Sequence, residues 1–194
     1  MRHLWRLLLL IAVTWAMGGC ASTYVVAPTA TLAEPVAVAV LDHGRHSSLV
    51  VGLPEGRMVR YAYGDWRWYA LGDTGLVQGL AALSGDTPAG LGRRVLPEPL
   101  TLQALRRQVR TGFVSAVVLE VEGAAARRLV ARLDAIAAAG RDRMVTNADV
   151  DLDFFPHPVP YSMAHNSNRV VAQWLREMGA EVAGGGLLAD WRVR

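Results

Sequence analysis

The chain has 194 residues, 52% of them hydrophobic and 19% charged, with a formal net charge of +3 and one cysteine. That length allows one ordinary domain, or a domain plus a targeting segment, and a lone thiol excludes internal disulfides, redox pairs and multi-thiolate metal sites. All twenty basic residues are arginine, with no lysine-rich run or aromatic-basic stripe, which argues against nucleic acid as a partner.

Arg2 and Arg6 precede the apolar stretch Leu7 to Ala16, which is too short for a comfortable permanent span and reads as an export signal. It ends at Met17-Gly18-Gly19-Cys20, which resembles a bacterial lipobox. That resemblance implies a signal peptide over residues 1–19, cleavage before Cys20 and lipidation of its thiol; the alternative is an uncleaved anchor with an ordinary buried Cys20. Loss of Arg2 and Arg6 takes the formal charge from +3 to +1. No Asp follows the cysteine, so the expected location is the cell envelope, in the outer membrane facing the periplasm. Residues 20–35, rich in Ala, Thr and Pro, read as a lipid-anchored tether, and residues 36–194 as a single α+β domain.

Within that domain Val36 to Leu41 is an apolar run of strand character, Ser47 to Val51 a second and Arg57 to Tyr63 a third, the last preceded by the turn residues Pro54-Glu55-Gly56. A short helix is expected over Leu76 to Leu83, then a Gly/Pro loop to Gly92. Val114 to Val121 reads as a strand. Leu129, Leu133 and Ile136 share one face of a helix over Ala124 to Ala138, closed by Gly140. A last helix runs from about Asn168 to Met178, with Val170, Val171, Trp174, Leu175 and Met178 as its apolar stripe and Gly179 after it.

Two places could carry chemistry. In Asp42-His43-Gly44-Arg45-His46-Ser47-Ser48, a strand that begins one residue early puts His46, Ser48 and Val50 on one face. A histidine there is a candidate general base; a plain polar turn is the competing reading. In Tyr161 to Asn168, Ser167 falls on the buried stripe at the first turn of the last helix, near free backbone N–H groups and the positive dipole end. That placement suits a nucleophile with an oxyanion site, but Asn166-Ser167-Asn168 also reads as a simple N-cap cluster.

Together these segments resemble a bacterial family catalogued as domain of unknown function 2459. Its motifs appear here as His43-Gly44-Arg45-His46-Ser47-Ser48-Leu49-Val50, Ala62-Tyr63-Gly64-Asp65-Trp66-Arg67-Trp68-Tyr69, and Tyr161 followed by Ser167-Asn168-Arg169-Val170. The order, histidine strand first and nucleophile helix last, is similar to circularly permuted papain-like hydrolases of the NlpC/P60 type, which act on amide or acyl bonds. The resemblance implies an α+β fold with an antiparallel sheet and packed helices. It also implies catalysis by Ser167, His46 and Asp65, and ligand contacts from His43, Tyr63, Trp66, Asn166 and Asn168.

Where the family pattern carries cysteine, this chain carries Ser167. Serine's hydroxyl is far less acidic than a thiol, so it needs a true general base, an orienting third group and an oxyanion hole. Tyr63 is the alternative to Asp65 for the orienting role. Three functions remain open: a Ser-dependent hydrolase or acyltransferase, a pseudoenzyme binding a cell-wall or lipid ligand, and a structural lipoprotein. The partners expected are the membrane, through the N-terminal lipid, and peptidoglycan or a lipid. No cofactor or metal site is read: Asn147 to Asp153 looks like a calcium loop but lacks its glycine and its final Glu, and the prolines around His157 indicate an extended segment.

Overall fold

The computed structural model describes residues 22–75, 85–184, 186 and 189–194; the signal segment, Cys20 and the helix expected over Leu76–Leu83 lie outside them. Ten strands and three helices follow in the order β1 (Ser22–Val26), β2 (Pro35–Asp42), β3 (Ser47–Leu53), β4 (Arg57–Asp65), β5 (Thr87–Leu96), α1 (Leu102–Gln108), β6 (Ser115–Glu122), α2 (Gly123–Ala139), β7 (Val145–Asn147), β8 (Leu152–Tyr161), α3 (Ser167–Glu177), β9 (Glu181–Gly184) and β10 (Asp190–Val193). A seven-stranded sheet runs β6-β2-β3-β4-β5-β8-β7, and all its pairings are antiparallel. A smaller sheet places β1 between β10, parallel to it, and β9, antiparallel.

The large sheet is covered on both sides, which is why β2 and β3 read as unbroken apolar runs rather than alternating ones. Successive strand residues point to opposite faces. Val38, Val40, Leu49, Val51, Val59 and Tyr61 therefore meet Leu129 and Leu133 of α2, Val171 and Leu175 of α3, and Trp191 of β10. We call this the helix face. Their neighbours Ala39, Leu41, Val50 and Met58 point the other way, against Ala104 and Leu105 of α1. Further along that second face, Ala62, Leu152 and Phe154 pack with Trp66 and Tyr69 of a π-helical turn over Trp66–Ala70.

Two expectations need correction. The loop drawn up to Gly92 is instead β5, whose glycines serve close packing. A Cβ at Gly90 would lie 3.1 Å from the Trp66 ring and 3.2 Å from Phe154, and one at Gly92 only 2.9 Å from Leu152. Glycine in a strand marks such an approach as well as a turn. The tether over residues 20–35 is also not free throughout, because Ser22–Val26 is a hydrogen-bonded strand with Val25 buried in the main core.

Asp134 clasps α2 to the sheet. Its carboxylate accepts hydrogen bonds from Tyr61 Oη at 2.5 Å and from Arg93 Nε and Nη2 at 2.7 and 2.9 Å. Burial pushes this carboxyl's pKa up, but the bonds from Arg93 and Tyr61 outweigh it and hold the pKa below the usual value. A depressed carboxyl stabilises the fold above its unfolded pKa, and the gain is lost as pH falls through the folded value. Asp134→Asn is expected to cost about 1–2 kcal/mol at pH 7, allowing for partial solvent screening. In urea titrations the difference from the parent should shrink as pH falls through the carboxyl's lowered folded pKa.

Candidate functional site

The predicted site residues gather at one end of the large sheet. There the β2–β3 turn, the last residue of β4, the first of β5, the last of β8 and the first turn of α3 come together. The turn is shaped locally. Gly44 adopts a φ of +92°, a left-handed conformation that favours glycine, its N–H donates to Asp42 Oδ1 at 2.6 Å, and His43 N–H donates to the His46 carbonyl at 2.9 Å. The His43 and His46 rings are thereby stacked, with centroids 5.0 Å apart and planes 16° apart.

Strand alternation then separates the residues into two groups. Ser47 points to the helix face, where its hydroxyl donates to Asn168 Oδ1 at 2.7 Å and accepts from Trp191 Nε1 at 2.6 Å. Ser48 points to the opposite face, and both histidines lie there with it. His43 Nδ1 donates to the Gly112 carbonyl at 2.8 Å, so its Nε2 is the acceptor for Ser48 Oγ at 2.9 Å and for Arg60 Nη2 at 3.2 Å. Arg60, 2% exposed, also donates through Nε to Ser48 Oγ at 3.1 Å and through Nη1 to the Val150 carbonyl at 3.2 Å. The His46 ring packs edge-on against Tyr69 with centroids 5.1 Å apart.

The expected Ser167–His46 pair is therefore not formed. Ser167 opens α3 on the helix face, buried, while His46 lies on the other side of the sheet, and among the described residues neither side chain hydrogen bonds the other. Asp65 does not orient a histidine: Oδ1 caps Trp68 N–H at 2.8 Å and Oδ2 accepts from Thr87 Oγ1 at 2.5 Å. Tyr63 does share its face by alternation, as expected from parity, but its hydroxyl donates to the Pro160 carbonyl at 2.8 Å and its ring packs among His157, Tyr161 and His165. Trp66 lies over Gly90 in the second-face core instead of lining a cleft beside Ser167. Asn166 is the N-cap of α3, accepting from Arg169 N–H at 3.0 Å, and Asn168 bonds to Ser47 and, at 3.3 Å, to the Arg45 carbonyl. Of the predicted residues, the structure brings His43 and His46 together and leaves Ser167 and Asp65 in separate structural roles.

Ser48 and His43 do make a serine–histidine–carbonyl relay. It is not a nucleophilic one: Ser48 is fully buried, and the Arg60 cation bonds both the hydroxyl and the imidazole nitrogen that would have to take its proton. Burial, then Arg60 and then His46, push the His43 pKa down to about 3 against the opposing bond to Gly112. Burial and Arg60 push His46 down to about 4. Arg60 itself is lowered to about 10, chiefly by burial, with Asp151 opposing and Arg94 adding to the shift.

His43, His46 and Arg60 border a cavity of about 320 Å³, closed by Thr111–Val114 and by Asp149 and Val150. Asp151 is the counter-ion nearby, 3% exposed and at a φ of +57°, but its contacts go to Arg94 and, at 3.8 Å, to Arg110. Arg94 and Arg110 thus pair with Asp151, and Arg60 feels it only electrostatically. Sequence reasoning placed Ser48 on the face of His46 but missed Arg60, whose available signal was a lone charge inside the apolar strand Met58-Val59-Arg60-Tyr61-Ala62. A larger groove of about 590 Å³ between α2 and β8, lined by Arg132, Ile136, Pro156 and His157, lies outside this cluster. Among the described residues no group of three His, Cys, Asp or Glu side chains is placed to hold a metal, and no helix is long and apolar enough to cross a membrane.

Comparison with known proteins returns no matching family model, no matching curated protein and no matching solved structure.

The two histidines set a pH dependence. Their folded pKa values lie below the unfolded value, so the stabilisation is complete above about pH 6.5 and is lost as pH falls toward the folded values, at up to about 1.4 kcal/mol per pH unit for each ring. Urea midpoints measured at pH 7 and pH 5 should show this loss, and His46→Gln should flatten it. The Hε1 resonances of both rings should stay at neutral-imidazole positions from pH 8 to 5.

Proposed function

We propose that this chain is an envelope lipoprotein on a permuted papain-like scaffold that binds a small anionic ligand and does not hydrolyse one. The scaffold reading is supported by the order of parts: the histidine hairpin comes first, the helix opened by Ser167 comes last, and α3 packs on the antiparallel sheet against β3 and β4. Against hydrolysis stands the placement of Ser167 on the helix face and of the His43 and His46 rings on the other. The observation that carries the binding reading is spare hydrogen-bonding capacity at one cavity. Three of the five guanidinium N–H groups of Arg60 are committed within the fold, leaving two with no hydrogen bond among the described residues. The His46 ring makes only ring contacts among the described residues. A carboxylate or phosphate oxygen accepts from such donors and offsets the excess of arginine over aspartate around them.

The test is titration of the full chain, in detergent micelles, with inorganic phosphate. The Hε1 resonance of His46 should shift saturably, and its pKa should rise by about one unit as an anion is placed beside it. His46→Ala should keep the fold and weaken phosphate about tenfold, the loss of one charge-assisted hydrogen bond. No shift at millimolar phosphate would sink the binding reading. A fluorophosphonate probe should leave Ser167 unlabelled; labelling abolished by Ser167→Ala would restore the hydrolase.

A further inference from the structure

We infer that the end of the sheet bearing the His46–Arg60 cavity faces the membrane, and that the cavity takes the anionic headgroup of a lipid in that leaflet. This rests on the two readings above, that Cys20 carries lipid and that the cavity binds an anion. The carrying observation is how close to Cys20 the paired strand β1 begins. Ser22 is already paired with Asp190 of β10, its hydroxyl donating to that carboxylate at 2.5 Å, and Thr23 is opposite Gly184 of β9. Cys20 is two residues before Ser22, and two extended residues reach at most about 8 Å. A lipid on Cys20 cannot hold the domain at a distance; whatever surface surrounds Ser22 lies against the bilayer.

That surface is the site end. β9 returns antiparallel to β1, so Gly184 lies near Ser22, and a Cβ on Gly186 just beyond would meet Arg169 in the first turn of α3. Asp190, opposite Ser22, acts electrostatically on Asp42 at the start of the histidine turn, and Trp191 beside it bonds Ser47. The rim has the composition of an interfacial surface. Val114, 76% exposed, donates its N–H to the Asp42 carbonyl at the turn. Leu71, 54% exposed, follows the π turn, and Met163, 40% exposed, precedes α3. Arg45 and Arg169 are exposed there, with no ion pair among the described residues. Apolar side chains set among arginines suit a headgroup layer carrying negative charge, and the acids present are partly spent, Asp190 on Arg192 and Asp73 on Arg67.

Because Cys20 is the single cysteine and is itself lipidated in this reading, a new cysteine gives a unique attachment point. Val114→Cys and Leu102→Cys are labelled with an environment-sensitive fluorophore. Leu102 opens α1 just beyond the end of β5 that pairs with Met58, about 20 Å along the strands from the histidine turn. The full chain is reconstituted into phosphatidylcholine–phosphatidylglycerol vesicles carrying a headgroup-attached quencher. We expect quenching at position 114 and none at 102. Quenching at 102 alone, or at neither position in a chain that sediments with the vesicles, overturns the orientation while leaving the anchor intact. A chain that does not sediment overturns both.

The source of the anion is read separately. Dihexanoyl phosphatidylglycerol should move the His46 resonance at a concentration at least about tenfold lower than inorganic phosphate, the effect of burying as few as two methylenes. Equal potency would return the cavity to a soluble anion and overturn the lipid assignment. A shift with neither would overturn the binding reading itself.

Discussion

The structure turns on a buried arginine. Arg60 sits in the middle of β4 with 2% of its surface exposed, and an unpaired charge in that position would cost several kcal/mol. The fold offsets this by aiming neutral acceptors from three separate segments at one guanidinium: Ser48 Oγ from β3, His43 Nε2 from the β2–β3 turn and the Val150 carbonyl from the connection between β7 and β8. These acceptors fix much else. His43 is held as the tautomer that donates to Gly112, which ties the stretch after α1 to the hairpin, and the stack of His46 on His43 fixes the mouth of the cavity. Direct pairing with a carboxylate would have been the simpler way to neutralise Arg60. Asp151 is instead bonded to Arg94, and the arginine keeps donors in reserve.

Strand geometry decides the rest of the chemistry. Adjacent residues of a strand face opposite sides, so a one-residue difference between Ser47 and Ser48 assigns them to different functions. Ser47 joins Asn168 and Trp191 in the buried polar knot that seats α3 and β10. Ser48 belongs with His43 and Arg60. A histidine that shares its face with Ser48 is directed away from the helix that carries Ser167, whatever the order of these residues along the chain.

Much of the fold was legible. The apolar runs of β2 and β3, the apolar stripes of α2 and α3 and the glycines that close them are local patterns, and they appear within a residue or two of where they are expected. β5 was not legible, because Thr87-Pro88-Ala89-Gly90-Leu91-Gly92 has the composition of a loop and becomes a strand through the Trp66 and Phe154 rings that need its bare backbone. β1 was hidden for a related reason: its partners, β9 and β10, lie at the far end of the chain. In the site, the sequence shows which residues are chemically able and not which share a surface. His43 and His46 came out together because one short turn holds them. Ser167 and His46 are more than a hundred residues apart, and their relation depends on which face of the sheet α3 covers.

Hydrogen-bond capacity separates the two sides of the site end. On the helix face the groups a hydrolase would need are occupied by architecture: both oxygens of Asp65 are used in capping Trp68 and accepting from Thr87, the Tyr63 hydroxyl is directed at the Pro160 carbonyl, and the Asn166 side chain caps α3. Releasing any of them for catalysis would leave a helix end or a strand junction unsatisfied. On the opposite face the internal bonds stop short of exhausting Arg60, and the His46 ring is held by aromatic packing that leaves its nitrogens free among the described residues. Buried donors that the fold positions and does not consume bind acceptors from outside with little further ordering cost. The neutral state of both rings keeps His43 an acceptor for Arg60, and it makes His46 a donor that gains a proton when a negative charge arrives.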